Sequence, residues 1–102
     1  MNGDIKMTSK QRAYLKSLAM KINPIINVGK GSVTPELINA VDEAIEKREL
    51  IKIGVLQNCL DDPNSIAEII AGRTKSQVVQ VIGKKIVLYR PNKKDPKIVL
   101  PK

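Results

Sequence analysis

The sequence has no histidine, no tryptophan and no phenylalanine, and it has one cysteine, Cys59. Without histidine the chain lacks the commonest general base and the commonest metal ligand. A single thiol excludes an internal disulfide and a zinc-finger cluster, and nothing is available to activate it as a nucleophile. Cys59 lies beside Leu60 near an apparent strand end and reads as a small packing residue in a reducing, cytoplasmic setting. The adjacent Asp61 and Asp62 have the chemistry to bind a cation, but a capped loop explains them more simply. Tyr14 and Tyr89 are the only aromatics, so the core must be built from Ile, Leu, Val and Ala. No apolar run reaches the roughly 18 residues that a membrane span needs. The polar N-terminus lacks the hydrophobic region of a signal peptide. These absences argue against an enzyme, and neither a metal, a cofactor nor a small-molecule substrate is expected.

What is present is positive charge. Lys and Arg number 18 against 10 Asp and Glu, a net charge of +8 on 102 residues. For one small domain this points to a polyanionic partner, nucleic acid before an anionic membrane. With so few aromatics, base stacking cannot be the main source of affinity, which leaves backbone contact and recognition of shape. Composition does not separate RNA from DNA. A nucleoid-type DNA-binding protein and an interaction module for an acidic protein partner both stay open on this evidence.

Thr8 and Gln11 have the spacing of a capping box at the start of a helix over 9–21. Leu15, Leu18, Ala19 and Ile22 form its buried stripe, and Lys10, Arg12, Lys16 and Lys21 fall off it. Four cations without an anion suit a helix that faces a polyanion rather than plain solvent. Asn23 and Pro24 end that helix, and an apolar run over 25–28 reads as a short strand. Thr34 then caps a second helix with Pro35 in its first turn. Its exposed face carries Glu36, Asp42, Glu43, Glu46 and Glu49, half of the acids, and should point away from a nucleic acid. Residues 50–56 read as a buried strand. Asp62 and Pro63 start a third helix, with Ile66, Ile69 and Ile70 inward and Gly72 as its stop. Arg73 to Ser76 form a short basic link. Residues 77–82 and 85–90 are strand-like, and Gly83 and Lys84 between them signal a hairpin. This order predicts an α/β fold, a two-layer sandwich of a four-stranded mixed sheet and three helices. Residues 1–7 read as a flexible tail, 8–91 as the domain, and 92–102 as a basic extension with a candidate edge strand at 98–100.

The stretch from Asn27 to Glu36 organises the rest. Gly29, Lys30, Gly31 and Ser32 join a strand to a helix start. Glycine lets another backbone approach, a helix N-terminus favours phosphate, and Lys30 adds a mobile cation. A nucleotide-binding P-loop is excluded, because the glycine it requires five residues before Gly29 is Pro24.

Three segments together resemble the CRM domain, the chloroplast RNA splicing and ribosome maturation module, in its free-standing bacterial YhbY-like form. They are the basic helix from Ser9 to Ala19, the run from Val28 to Thr34 continuing to Ile53, and the hairpin from Val79 to Pro91. The family's loop is Gly-x-x-Gly, similar in kind to the loop with which KH domains clamp a nucleic-acid backbone. Gly29 and Lys30 match its first two positions, while Ser32 stands at the second glycine and Gly31 falls one place early. The resemblance implies a fold similar to the C-terminal domain of translation initiation factor three. It also implies an RNA partner in precursors of the large ribosomal subunit, with no membrane involved. The expected RNA contacts are Gly29, Lys30, Gly31 and Ser32 with Lys10, Arg12 and Lys16, then Lys84, Arg73 and Lys75.

Overall fold

The computed structural model describes residues 7–102. The expected tail lies outside the described residues except for Met7, which is half-buried against apolar neighbours. The elements are α1 (Ser9–Ala19), β1 (Ile26–Val28), α2 (Pro35–Arg48), β2 (Leu50–Val55), α3 (Pro63–Thr74), β3 (Gln77–Ile82) and β4 (Lys85–Tyr89). The three helices begin at the expected caps. The Gln11 N–H donates to Thr8 Oγ1 at 3.1 Å while Gln11 Oε1 accepts from the Thr8 N–H at 3.1 Å, so the capping box is closed. Leu37 N–H reaches Thr34 Oγ1 and Ser65 N–H reaches Asp62 Oδ2, each at 3.1 Å. Such caps are worth about 1 kcal/mol each.

The helix ends differ more from expectation. Helix α1 stops at Ala19, because Lys21 and Ile22 N–H groups tighten onto the Leu18 and Ala19 carbonyls ahead of Pro24. Helix α3 runs through Gly72 to Thr74, so Arg73 and Thr74 are helical rather than part of a link. Its stop is Lys75, in the left-handed region at φ 57°. Ile69 is exposed rather than inward, since the buried stripe of α3 is Ile66, Ala67, Ile70, Ala71 and Thr74.

The mixed sheet has the order β1-β2-β4-β3, with β1 parallel to β2 and both other pairs antiparallel. Alternation along the strands divides the core in two. Ile51, Ile53 and Val55 of β2 and Ile86 and Leu88 of β4 pack with α2 and α3. Leu50, Val87 and Tyr89 pack instead with Leu15 and Ala19 of α1. The expected α/β fold of three helices and a four-stranded mixed sheet is present, with α2 and α3 on one face and α1 covering part of the other. Cys59 is buried in the larger cluster, as a packing residue.

Residues 98–100 form no strand. Ile98 and Leu100 pack on the α1-side cluster, and backbone amides of the extension are held by Glu49. Glu49 corrects the reading of α2: it is fully buried, not on the acidic outer face. It caps the helix at φ 66°, a turn that swings its side chain off the exposed stripe. Its carboxylate accepts the Asn92 N–H at 2.7 Å and the Lys97 and Ile98 N–H groups at 2.8 Å.

Candidate nucleic-acid interface

Strand direction decides which loops meet. Parallel β1 and β2 end at the same edge of the sheet, and antiparallel β4 begins there. Three connections therefore share this edge: residues 29–34, residues 56–62 and the hairpin turn at Gly83 and Lys84. Backbone bonds join them, Leu56 N–H to Val28 O at 2.9 Å and Val55 N–H to Lys84 O at 2.7 Å. In open α/β sheets this is the side on which ligands bind, outside the carboxyl ends of parallel strands.

The glycine loop is a tight turn closed by the Ser32 N–H on the Gly29 carbonyl at 2.9 Å. Ser32 has φ 55°, whereas Gly29 and Gly31 have no positive φ. This corrects the expected role of the glycines, because the left-handed position demanded by the turn falls on serine. It also removes the Ser32 N–H from the groups free to meet a phosphate, leaving its hydroxyl. A Cβ on Gly29 would lie 3.8 Å from Leu56 Cδ1 and Asn58 Oδ1, and one on Gly31 would lie 3.5 Å from Thr34 Cγ2. Those are ordinary contacts, so neither glycine is required by internal packing. Lys30 and Gly31 are exposed, and their N–H groups have no partner among the described residues. The turn thus offers bare amides, a cation and the N-terminus of α2 together.

Lys84 is exposed at this edge, next to the end of β2. Arg73 and Lys75 are not brought to it. They close α3, which starts at the loop edge and ends at the opposite one, where β3 begins. Lys10 and Lys16 are exposed on α1, over the sheet's second face. Arg12 lies beside them but is half-buried, which corrects its expected solvent position. Its Nη1 donates to the Val78 and Val79 carbonyls at 2.8 and 2.6 Å. These carbonyls flank the β-bulge between Val78 and Gln80, where a strand leaves backbone groups unpaired.

The acidic face of α2 is partly neutralised. Arg90 Nη1 meets Asp42 Oδ1 at 2.7 Å and its Nη2 meets Glu46 Oε1 at 2.9 Å. Burial raises the Glu49 carboxyl pKa, but the amides of Asn92, Ile98 and Lys97 and the charge of Lys97 outweigh it, leaving the group below its ordinary value of 4.5. Burial, then the Glu49 charge, pushes the Tyr89 phenol up. Among the described residues no three His, Cys, Asp or Glu side chains form a metal site, and no helix is long and apolar enough to cross a membrane.

Sequence reasoning missed Lys85, which is exposed at the first position of β4 beside Lys84. The alternation Lys85, Val87, Tyr89 carried part of the signal, since it groups this lysine with Val87 and Tyr89, on the face that α1 covers in the structure.

A family model described as the CRS1 / YhbY (CRM) domain matches residues 7–90. The chain is 47% identical over 95 residues to the Bacillus subtilis (strain 168) protein named Probable RNA-binding protein YqeI, covering 93% of this chain and 99% of that one. It is 34% identical over 96 residues to a Haemophilus influenzae protein named RNA-binding protein, covering 94% and 96%. The solution structure of SAV1595 from Staphylococcus aureus superposes with a TM-score of 0.79 at 47% identity, covering 94% of this chain and all of that one.

Proposed function

Because this chain belongs to the CRS1 / YhbY (CRM) domain family, we propose that it binds RNA by its backbone and assists assembly of the large ribosomal subunit. The observation that carries the reading is the closed turn from Gly29 to Ser32. Although serine replaces the second glycine, it adopts the left-handed conformation that glycine would supply there. Lys30, with the free amides of Lys30 and Gly31, meets phosphate, and Lys84 meets it from the neighbouring turn. Lys10 and Lys16 extend the cationic surface over α1. Arg12 contributes by seating α1 rather than by reaching out. Arg73 and Lys75, at the far edge, stand outside this surface. The family relation and the names of the relatives support RNA as the ligand. The ribosomal assignment follows from the resemblance and entails work in the cytoplasm. No catalytic step and no cofactor enters the reading.

The test is sedimentation of cell extracts at low salt. The protein should travel with large-subunit precursors and should leave them after RNase treatment or at high salt. Retention on a protein partner after RNase would favour an interaction module instead. In competition, structured RNA should displace the labelled RNA and duplex DNA should not; equal displacement by DNA would favour a nucleoid role.

A further inference from the structure

The loop edge adjoins a second patch that the reading above does not use. In β4, Val87 and Tyr89 lie under α1, and Lys85 shares their face by alternation. Across the pairing, Ile82 is opposite Lys85 and Gln80 is opposite Val87, so both belong to that face. The α1-side cluster covers Leu50, Val79, Val87 and Tyr89, which run from the middle of the sheet to the end away from the loop edge. The hairpin half is left open: Lys85 is exposed, Gln80 is half-exposed and Ile82 is 61% exposed. Lys16 borders this patch. It follows Arg12 by one turn on the same flank of α1, and Arg12 is fixed to β3, while Gln11 on the other flank donates to the Pro101 carbonyl.

The signs of charge give the patch a direction. Helix α1 has no acid, and none of the sheet positions on its side, from Asn27 through Leu50, Lys52 and Gly54 to Gln77, Val79, Gln80, Ile82, Lys85, Val87 and Tyr89, is acidic. On the other side of the loop edge stand Glu36, Asp61 and Asp62, all exposed. Among the described residues the ion pairs are those of Arg90, so Lys16, Lys84 and Lys85 have no acidic partner. A polyanion held by Lys30 and Lys84 is repelled from the α2 and α3 side and attracted over the hairpin. An exposed aliphatic side chain and an amide between cations suit unpaired nucleotides, whose base and ribose edges are accessible, better than a duplex that presents phosphates.

Resting on the RNA-binding reading, we propose that a single-stranded RNA segment continues from the glycine loop across the α1-side face of the β3–β4 hairpin, held by Lys85, Gln80, Ile82 and Lys16. The experiment measures binding of a labelled single-stranded RNA and an RNA duplex of matched composition at two salt concentrations. Lys85→Ala should reduce the salt slope for the single strand by about 0.7. Gln80→Ala and Ile82→Ala should weaken the single strand several-fold with an unchanged slope and leave duplex binding nearly as it was. Lys75→Ala, at the opposite edge, should bind like the parent, and thermal unfolding should show the variants folded. If Lys30→Ala weakens binding while the three hairpin variants match the parent, this inference is overturned and the RNA-binding reading stands. Equal losses for single strand and duplex overturn the single-stranded path. Absence of any salt-dependent RNA binding by the parent overturns both.

Discussion

Ser32 shows how one side chain can hold a conformation that its chemistry disfavours. A residue with a Cβ in the left-handed region carries a cost of roughly 1–2 kcal/mol. Gly31, one place earlier, has no need of its freedom there. Ser32→Gly should therefore stabilise the protein by about 1 kcal/mol, read as a higher urea midpoint at constant m-value. RNA affinity should be kept or improved, and a loss of affinity in a stabilised variant would mean that the hydroxyl itself touches RNA. Glu49 is the second unusual residue, with φ 66° and a buried carboxylate that gathers three amides of the C-terminal extension. Glu49→Gln should lower stability by about 2 kcal/mol, since it removes charge-assisted bonds and faces an amide donor toward other donors. The folded-state carboxyl titrates below 4.5. Its contribution is then complete above that pH and fades as pH falls through the folded-state value. Acid unfolding curves should show this loss in the parent and a flatter acid limb in Glu49→Gln; identical limbs would refute the role. Residue spacing placed Ser32 at the odd position of the loop, so its importance was legible. Glu49 was not, because helical spacing puts it on the exposed stripe and its partners are more than 40 residues away in the chain.

At the scale of elements, starts were more legible than ends. Thr8, Thr34 and Asp62 are local signals, complete within a few residues, and each caps as expected. Gly72 failed as a stop because α3 is extended by groups beyond it, one a turn back in the helix and one distant in the chain. Thr74 Oγ1 donates to the Ile70 carbonyl at 2.8 Å, and Arg90 Nη1 donates to the Thr74 carbonyl at 2.7 Å. Arg12 illustrates the same limit on α1, where the charge pattern marks a polyanion-facing helix but cannot reveal a bulge on β3. Arg12→Ala should cost about 1–2 kcal/mol by leaving the Val78 and Val79 carbonyls without their donor. Lys16→Ala, fully outside the core, should shift stability by less than about 0.5 kcal/mol. Chemical denaturation of the two variants separates these roles. Equal stabilities would show that Arg12 does not seat the helix.

Across the whole molecule, the strand order converts distant sequence features into one surface. Lys30 and Lys84 are far apart in the chain, and they come to the same edge because β2 pairs with β1 on one side and β4 on the other. The α/β class, the mixed sheet and its hairpin could be read from the alternation of elements. The side of the sheet covered by α1 could not, because the order of elements leaves α1 free to take either face. That choice separates a cationic side from the acidic outer face of α2 and aims the interface. The most direct measurement is RNA affinity as a function of salt for the parent protein and Lys30→Ala. The parent should lose affinity steeply, with a log–log slope of roughly −0.7 to −0.9 per phosphate held, and Lys30→Ala should reduce that slope by somewhat under one unit while the fold is unchanged. A parent slope near zero, or a Lys30→Ala curve that overlies the parent's, would contradict a backbone-binding site at the glycine loop.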